Sequence, residues 1–164
     1  MPAAGSIVQV NRSAGGVPKL PVSSADVTTL GVAGDDHDDK LNHGGPERAL
    51  CLFAIERIEA LAAEGHTIEA GAAGENITTR GIDWETVVPG ARFRLGDGVL
   101  IEVTRYTTPC KTIQASFVAG DFNRIHQNVN PGWSRVYAKV LREGSIRPGD
   151  PIVFVTGQLA APAS

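Results

Sequence analysis

The chain has 164 residues, 42% hydrophobic and 20% charged, with a formal net charge of −3. That length suits one domain with a sizeable core, and no apolar run is long enough to span a membrane. No basic block is interleaved with aromatic residues, so neither nucleic acid nor membrane is expected as a partner. The start MPAAGSIVQV lacks the basic head and apolar core of a signal peptide, so the expected compartment is the cytoplasm. There the two cysteines, Cys51 and Cys110, stay reduced.

In chain order, SIVQV alternates as a first strand. AGGVPKLPV carries turn residues and two prolines and reads as an extended surface segment. DVTTLGV suits a strand. GDDHDDKLNHGGPER is long, polar and Gly-rich, a loop of the kind that is often functional. ALCLF alternates and passes into AIERIEALAAEG, where Ile55, Ile58, Leu61 and Ala62 share a helical face that Gly65 ends. GENITT is a short strand or bend. VPGARFRLGDGVLIEVTRY predicts a strand, a Gly-Asp-Gly turn and a second strand. CKTIQASF and DFNRIHQN each predict one or two helical turns. SRVYAKVL is a strand, GSIRPGD a turn and PIVFV the closing strand. Many short strands with one clear helix predict a mainly β fold, a closed or half-closed β-barrel, since closure removes exposed edges. A single domain over residues 6–156 is expected, with residues 157–164 a frayed tail.

The run RYTTPCKTI places Cys110 where a strand stops. Pro109 fixes its own φ and biases Thr108 toward extended geometry. Cationic and hydroxyl neighbours mark reactive thiols. A helix starting after Cys110 would, with Lys111, favour a thiolate, the form that attacks or binds a soft metal. The alternative is a small buried residue ending a strand. Cys51, among apolar residues in ALCLFAI, reads as an inert buried thiol.

In NHGGPER, Gly44 and Gly45 allow close approach of backbone to an anion, and His43 is placed to donate to it. A tight turn with a solvated histidine explains the same residues. The acidic run Asp35, Asp36, His37, Asp38, Asp39 has no metal-loop spacing and reads as solvated, with Asp35 or Asp36 free to orient a neighbour. Glu75 and Asn76 can hydrogen-bond a heteroaromatic edge or cap a turn. Trp133 and Arg135 open a strand where an aromatic ring and a guanidinium can flank a pocket.

Taken together and in this order, GGVPKLPV, Gly34-Asp35, HGGPERA, GENITT, PGARFRLGDGVLIEV, PCKTI, GWSRVYAKVL and GSIRPGDPIVFV resemble the MOSC domain, named for the C-terminal domain of molybdenum cofactor sulfurases. The resemblance implies a β-barrel-like fold that binds the molybdenum cofactor (molybdopterin). It makes Cys110, in the family's Pro-Cys motif, the functional thiol and metal ligand, since molybdenum is thiophilic. The cofactor's phosphate would be met by His43, Gly44, Gly45 and Arg135. Many relatives carry an arginine three residues before the cysteine. Here that position is Thr107, and Arg105 lies two residues earlier on the same strand face. Two activities are implied. One is reduction of N-hydroxylated compounds with electrons from a separate donor. The other is a non-catalytic cofactor carrier or persulfide-transfer module served by a separate cysteine desulfurase. No pyridoxal phosphate is expected in this chain itself. A metal-independent binding domain that kept the fold is the third reading.

Overall fold

The computed structural model describes residues 5–13, 17–35 and 46–155. Its strands are β1 (Gly5–Arg12), β2 (Leu20–Val22), β3 (Ala25–Thr28), β4 (Gly31–Val32), β5 (Leu50–Ala54), β6 (Ile77–Arg80), β7 (Arg92–Leu95), β8 (Val99–Tyr106), β9 (Val136–Arg142), β10 (Gly144–Ile146) and β11 (Pro151–Val155). One α-helix, α1 (Ile55–Ala63), follows β5 without a break.

Hydrogen-bonded neighbours run β11-β7-β8-β9-β5-β6-β1, and β1 pairs back onto β11. Seven strands of the described residues therefore close into a barrel, with β2 attached to β1. The closing register sets Gly5 against Ile152 and Ser6 against Pro151. All barrel pairings among the described residues are antiparallel except β5 with β6. A second small sheet, β10-β3-β4, sits beside the barrel.

Local sequence accounts for most elements. On β8 Val99, Ile101 and Val103 are buried while Leu100, Glu102 and Thr104 are half-buried, the period of two that one covered face requires. β5 is buried at every position, as expected for a strand covered on both faces. In α1, Ile58 and Leu61 are buried, and full burial of one such leucine contributes about 2 kcal/mol. Gly65, at φ +104°, ends the helix. The N–H groups of Glu64, Gly65 and His66 satisfy the last carbonyls, at Ala60, Leu61 and Ala62.

Two elements differ from the sequence reading. DVTTLGV is a hairpin rather than one strand. The Thr28 hydroxyl accepts from Leu30 N–H (3.1 Å) and donates to the Gly31 carbonyl (3.2 Å), closing the turn. Gly31 has φ +114°, and a Cβ there would run into the Ala49 carbonyl. GSIRPGD starts as a strand, because Ile146 pairs with Ala25 and is buried. The expected tail, residues 157–164, lies outside the described residues. Among the described residues no helix is long and apolar enough to cross a membrane.

Candidate functional site

Cys110 sits four residues beyond the end of β8, with extended backbone (φ −146°, ψ −178°), and opens a 3-10 turn over Lys111–Ser116. That turn is too short to carry the macrodipole of a full helix, so the expected helix-terminus effect is small. Pro109 is buried beneath it, Cys110 is half-buried, and Lys111 and Thr112 are exposed. The sulfur lies 3.0 Å from the Thr112 hydroxyl oxygen.

Tyr137 is the electrostatic link between this thiol and the barrel. On β9 it pairs with Cys51 of β5 on one side and with Arg105 of β8 on the other. The Arg48 guanidinium stands 5.7 Å from the centre of its ring. The 3-10 turn Pro46–Arg48 that carries Arg48 is tied to β8 by the Thr104 hydroxyl, which donates to the Glu47 carbonyl (2.6 Å). Burial pushes the Tyr137 hydroxyl up to about 12. Cys51 and Cys110 act in the same direction, and the arginines 135 and 48 oppose it. The phenol therefore stays protonated through neutral pH.

Beneath this pair lies a buried polar cluster. Asp35 accepts from Ser13 N–H (2.8 Å), from the Lys19 ammonium on both oxygens (2.8 and 2.9 Å) and from the Asn76 amide (2.8 Å). Asn76 in turn accepts from Cys51 N–H (3.0 Å), and its own N–H donates to the Cys51 carbonyl (2.8 Å). The Asn11 amide donates to the Glu75 carbonyl and to Thr78. Cys51 is thus buried, as its sequence suggests, but against charge rather than in an apolar setting. Desolvation pushes its thiol up to about 12, opposed by Arg135, with Glu75, Lys19 and Asp35 also acting on it.

Glu75 and Arg135 each have one buried polar atom without a partner among the described residues. Glu75 Oε2 takes both local donors, Gly71 N–H (2.8 Å) and the Thr78 hydroxyl (2.9 Å), while Oε1 has no partner among the described residues. Burial raises the Glu75 carboxyl above its usual range, opposed by the hydrogen bonds from Gly71 and Thr78. Arg135 donates through Nη1 to the Ala73 carbonyl (2.6 Å), and its buried Nε has no partner among the described residues.

The structure therefore brings Glu75, Asn76 and Arg135 into one cluster around Cys51, which pairs with Tyr137 across β5 and β9. Arg105 is exposed on β8, and Lys111 is exposed beside Cys110. His43, Gly44 and Gly45 lie outside the described residues, as do positions 36–39 of the acidic run. Asp35 is used in orienting Lys19 and Asn76, and no group of three or more His, Cys, Asp or Glu able to hold a metal occurs among the described residues. Arg135 is buried, while Trp133 is half-buried. Its ring is stacked with Arg57 and Arg124, at 4.8 and 4.0 Å. Sequence reasoning missed Lys19, Arg48, Thr112 and Tyr137. The usable signal for Tyr137 was the alternation of RVYAKV, which sends it to the face opposite Val136 and Ala138.

A family model described as the MOSC domain matches residues 39–153. The chain belongs to the MOSC domain family. It is 33% identical over 135 residues to protein YiiM of Escherichia coli K12, covering 79% of this chain and 58% of that one. The chain thus spans less than two thirds of that relative's length. A protein of Gibberella moniliformis named reductase is 33% identical over 130 residues, 76% of this chain but 22% of the fungal one. Among solved structures, YiiM from Geobacillus stearothermophilus superposes with a TM-score of 0.73 at 26% identity, covering 96% of this chain and 78% of that one. The fold is therefore shared with proteins of known structure.

Proposed function

We propose that this MOSC domain binds the molybdenum cofactor with Cys110 as the metal ligand and reduces N-hydroxylated compounds. The observation that carries the reading is the thiol itself: half-buried, four residues beyond β8 at the start of a 3-10 turn, between the buried Pro109 and the exposed Lys111. The donor set fits the group. A soft thiolate suits molybdenum, and the buried Arg135, with Nε unpaired among the described residues, keeps a cationic donor near the site for the cofactor's anionic part. Lys111, next to Cys110 in the chain, and Arg48, over the Tyr137 ring, add positive charge. His43, Gly44 and Gly45 are proposed as further donors to the cofactor. Asn76 and Glu75 hold the floor, and Arg105 lies at its edge.

When bound, the cofactor would supply two-electron chemistry. The overall reaction breaks one N–O bond: the hydroxylamine takes two electrons and two protons, giving an amine and water. The electrons come from a separate reductase protein. The chain's own residues orient the ligand sulfur, keep the Tyr137 hydroxyl protonated and exclude water beneath the site. The fungal relative's name supports the redox reading over a passive carrier.

Metal analysis of wild type and Cys110→Ser, both purified from cells with an intact cofactor pathway, tests this. The expected result is near-stoichiometric molybdenum in wild type, lost in the variant. Absence of metal from both, with persulfide on Cys110, would replace this reading with the sulfur carrier.

A further inference from the structure

We propose that Thr107 and Arg135 form a two-donor cradle for one anionic oxygen of a phosphate group. The inference rests on the reading that this site holds an anionic cofactor, and it adds the residue that shares the anion with Arg135. Three observations carry it. The first is register. Arg105 pairs with Tyr137 and Tyr106 with Val136, and the Thr107 N–H on the Arg135 carbonyl (3.1 Å) carries the ladder one step further. Thr107 and Arg135 are therefore directly opposed, and opposed side chains share one face with their Cβ atoms about 5 Å apart. The second is burial without a partner. Thr107 is 3% and Arg135 7% exposed, and neither Thr107 Oγ1 nor Arg135 Nε has a hydrogen-bond partner among the described residues. The third is charge. Arg135 meets one backbone carbonyl, that of Ala73 at 2.6 Å, and pairs with no carboxylate among the described residues.

A buried guanidinium without a counter-charge is costly, and an arriving anion relieves that cost. The titratable groups that act on one another around Arg135 do not supply the charge. Burial raises the Glu75 carboxyl, and the Cys51 thiol and Tyr137 hydroxyl are each pushed up to about 12. The guanidinium N–H can only donate, and the threonine hydroxyl rotates to donate when it faces an anion. A phosphate oxygen takes both donors in charge-assisted bonds, and guanidinium suits phosphate well. A neutral carbonyl would accept the same bonds but leave the charge unmatched. The two backbones are already held together for this role: the Ser134 hydroxyl shares its proton between the Thr107 and Arg135 carbonyls (3.3 and 2.6 Å). Free phosphate and the phosphate of a larger ligand present the same oxygen, and the experiment separates them.

The test is the melting midpoint as a function of inorganic phosphate, with chloride exchanged to hold ionic strength constant. The full chain is purified from cells lacking the cofactor pathway, as wild type, Thr107→Ser, Thr107→Val and Arg135→Met. Wild type should show a saturable rise, whose concentration dependence gives an apparent Kd. Thr107→Val keeps the shape of the side chain but not the hydroxyl, and should bind about tenfold more weakly. Thr107→Ser should stay within about twofold of wild type. Arg135→Met removes the charge without stranding a carboxylate partner, and should abolish the response. No saturable response in wild type, an equal response in Thr107→Val, or the same response to acetate overturns the proposal. Molybdenum and phosphorus are then measured on wild type from cells with an intact cofactor pathway. Phosphorus rising with molybdenum, with the response to added phosphate lost, makes the cofactor's phosphate the occupant. A phosphate response with no molybdenum in the second preparation leaves the cradle standing, as a site for free phosphate, and removes the cofactor reading. Molybdenum in that preparation with no phosphate response in the first keeps the reading and overturns the cradle.

Discussion

Asn76 holds both backbone polar groups of Cys51: its side-chain oxygen accepts the Cys51 N–H at 3.0 Å and its own N–H donates to the Cys51 carbonyl at 2.8 Å. One residue thus pins the middle of β5 where that strand faces Tyr137. Asn76→Ala leaves the buried Cys51 N–H and one Asp35 oxygen without this partner, at a cost of about 2 kcal/mol. Asn76→Asp should cost more, because it sets a second carboxylate against Asp35. Urea denaturation midpoints of the three proteins check the order wild type, alanine, aspartate.

The Lys19–Asp35 pair is 4% and 5% exposed at its two side chains. Removing one partner of such a pair strands the other charge, so Lys19→Met is expected to cost about 3–5 kcal/mol. Lys19→Met combined with Asp35→Asn should recover part of that loss. A double variant no more stable than Lys19→Met alone would mean that the pair is not coupled.

Glu75 gives the stability an unusual pH dependence. Burial raises its carboxyl in the folded state, so the folded chain holds this proton more tightly than the unfolded chain. The resulting stabilisation is complete below the unfolded carboxyl value of about 4.3 and is lost as pH rises through the raised folded value. Glu75→Gln keeps an oxygen acceptor for Gly71 and Thr78 and cannot ionise. Its stability relative to wild type should therefore improve as pH goes from 4 to 8. A difference that stays constant over that range would show that Glu75 does not titrate as argued.

Gly5 sits in the closing seam of the barrel, opposite Ile152. A Cβ there would collide with the Arg80 carbonyl and with the Ile82 side chain at 2.9 Å. Gly5→Ala should cost about 2 kcal/mol, in the range of overpacked cores. Amide exchange should speed first at Gly5–Ile7 and at Ile152 and Val153 rather than in β8 or β9.

The fold was largely legible because its signals are local. The α1 face with its Gly65 stop, the Gly96–Gly98 turn of β7–β8 and the apolar closing strand each lie within one short window. The turn at Cys110 was legible, because Pro109 and Lys111 are its sequence neighbours. The site was not legible at Lys19, whose partner Asp35 comes from another segment and whose surroundings read as surface. Cys51 misled for a related reason. Its sequence neighbours Leu50 and Leu52 point to the other face of β5, while its neighbours in space are Tyr137, Asn76 and the charges behind them. The Thr112 contact depends on the curl of a 3-10 turn, which composition does not reveal.

The lone parallel pairing of the described barrel, β5 with β6, has a consequence of parity. Around a closed ring, strand direction must return to itself, so the number of reversals is even. Seven strands cannot alternate all the way round, and one neighbour pair has to run the same way. Two parallel neighbours cannot be joined by a tight turn. The chain must leave the end of β5, travel the height of the barrel and re-enter beside its start. That return path is α1 and the segment ending in Glu75 and Asn76, delivered next to Cys51. An odd strand count thus makes a long connection obligatory, and the polar floor of the site is built at its landing point.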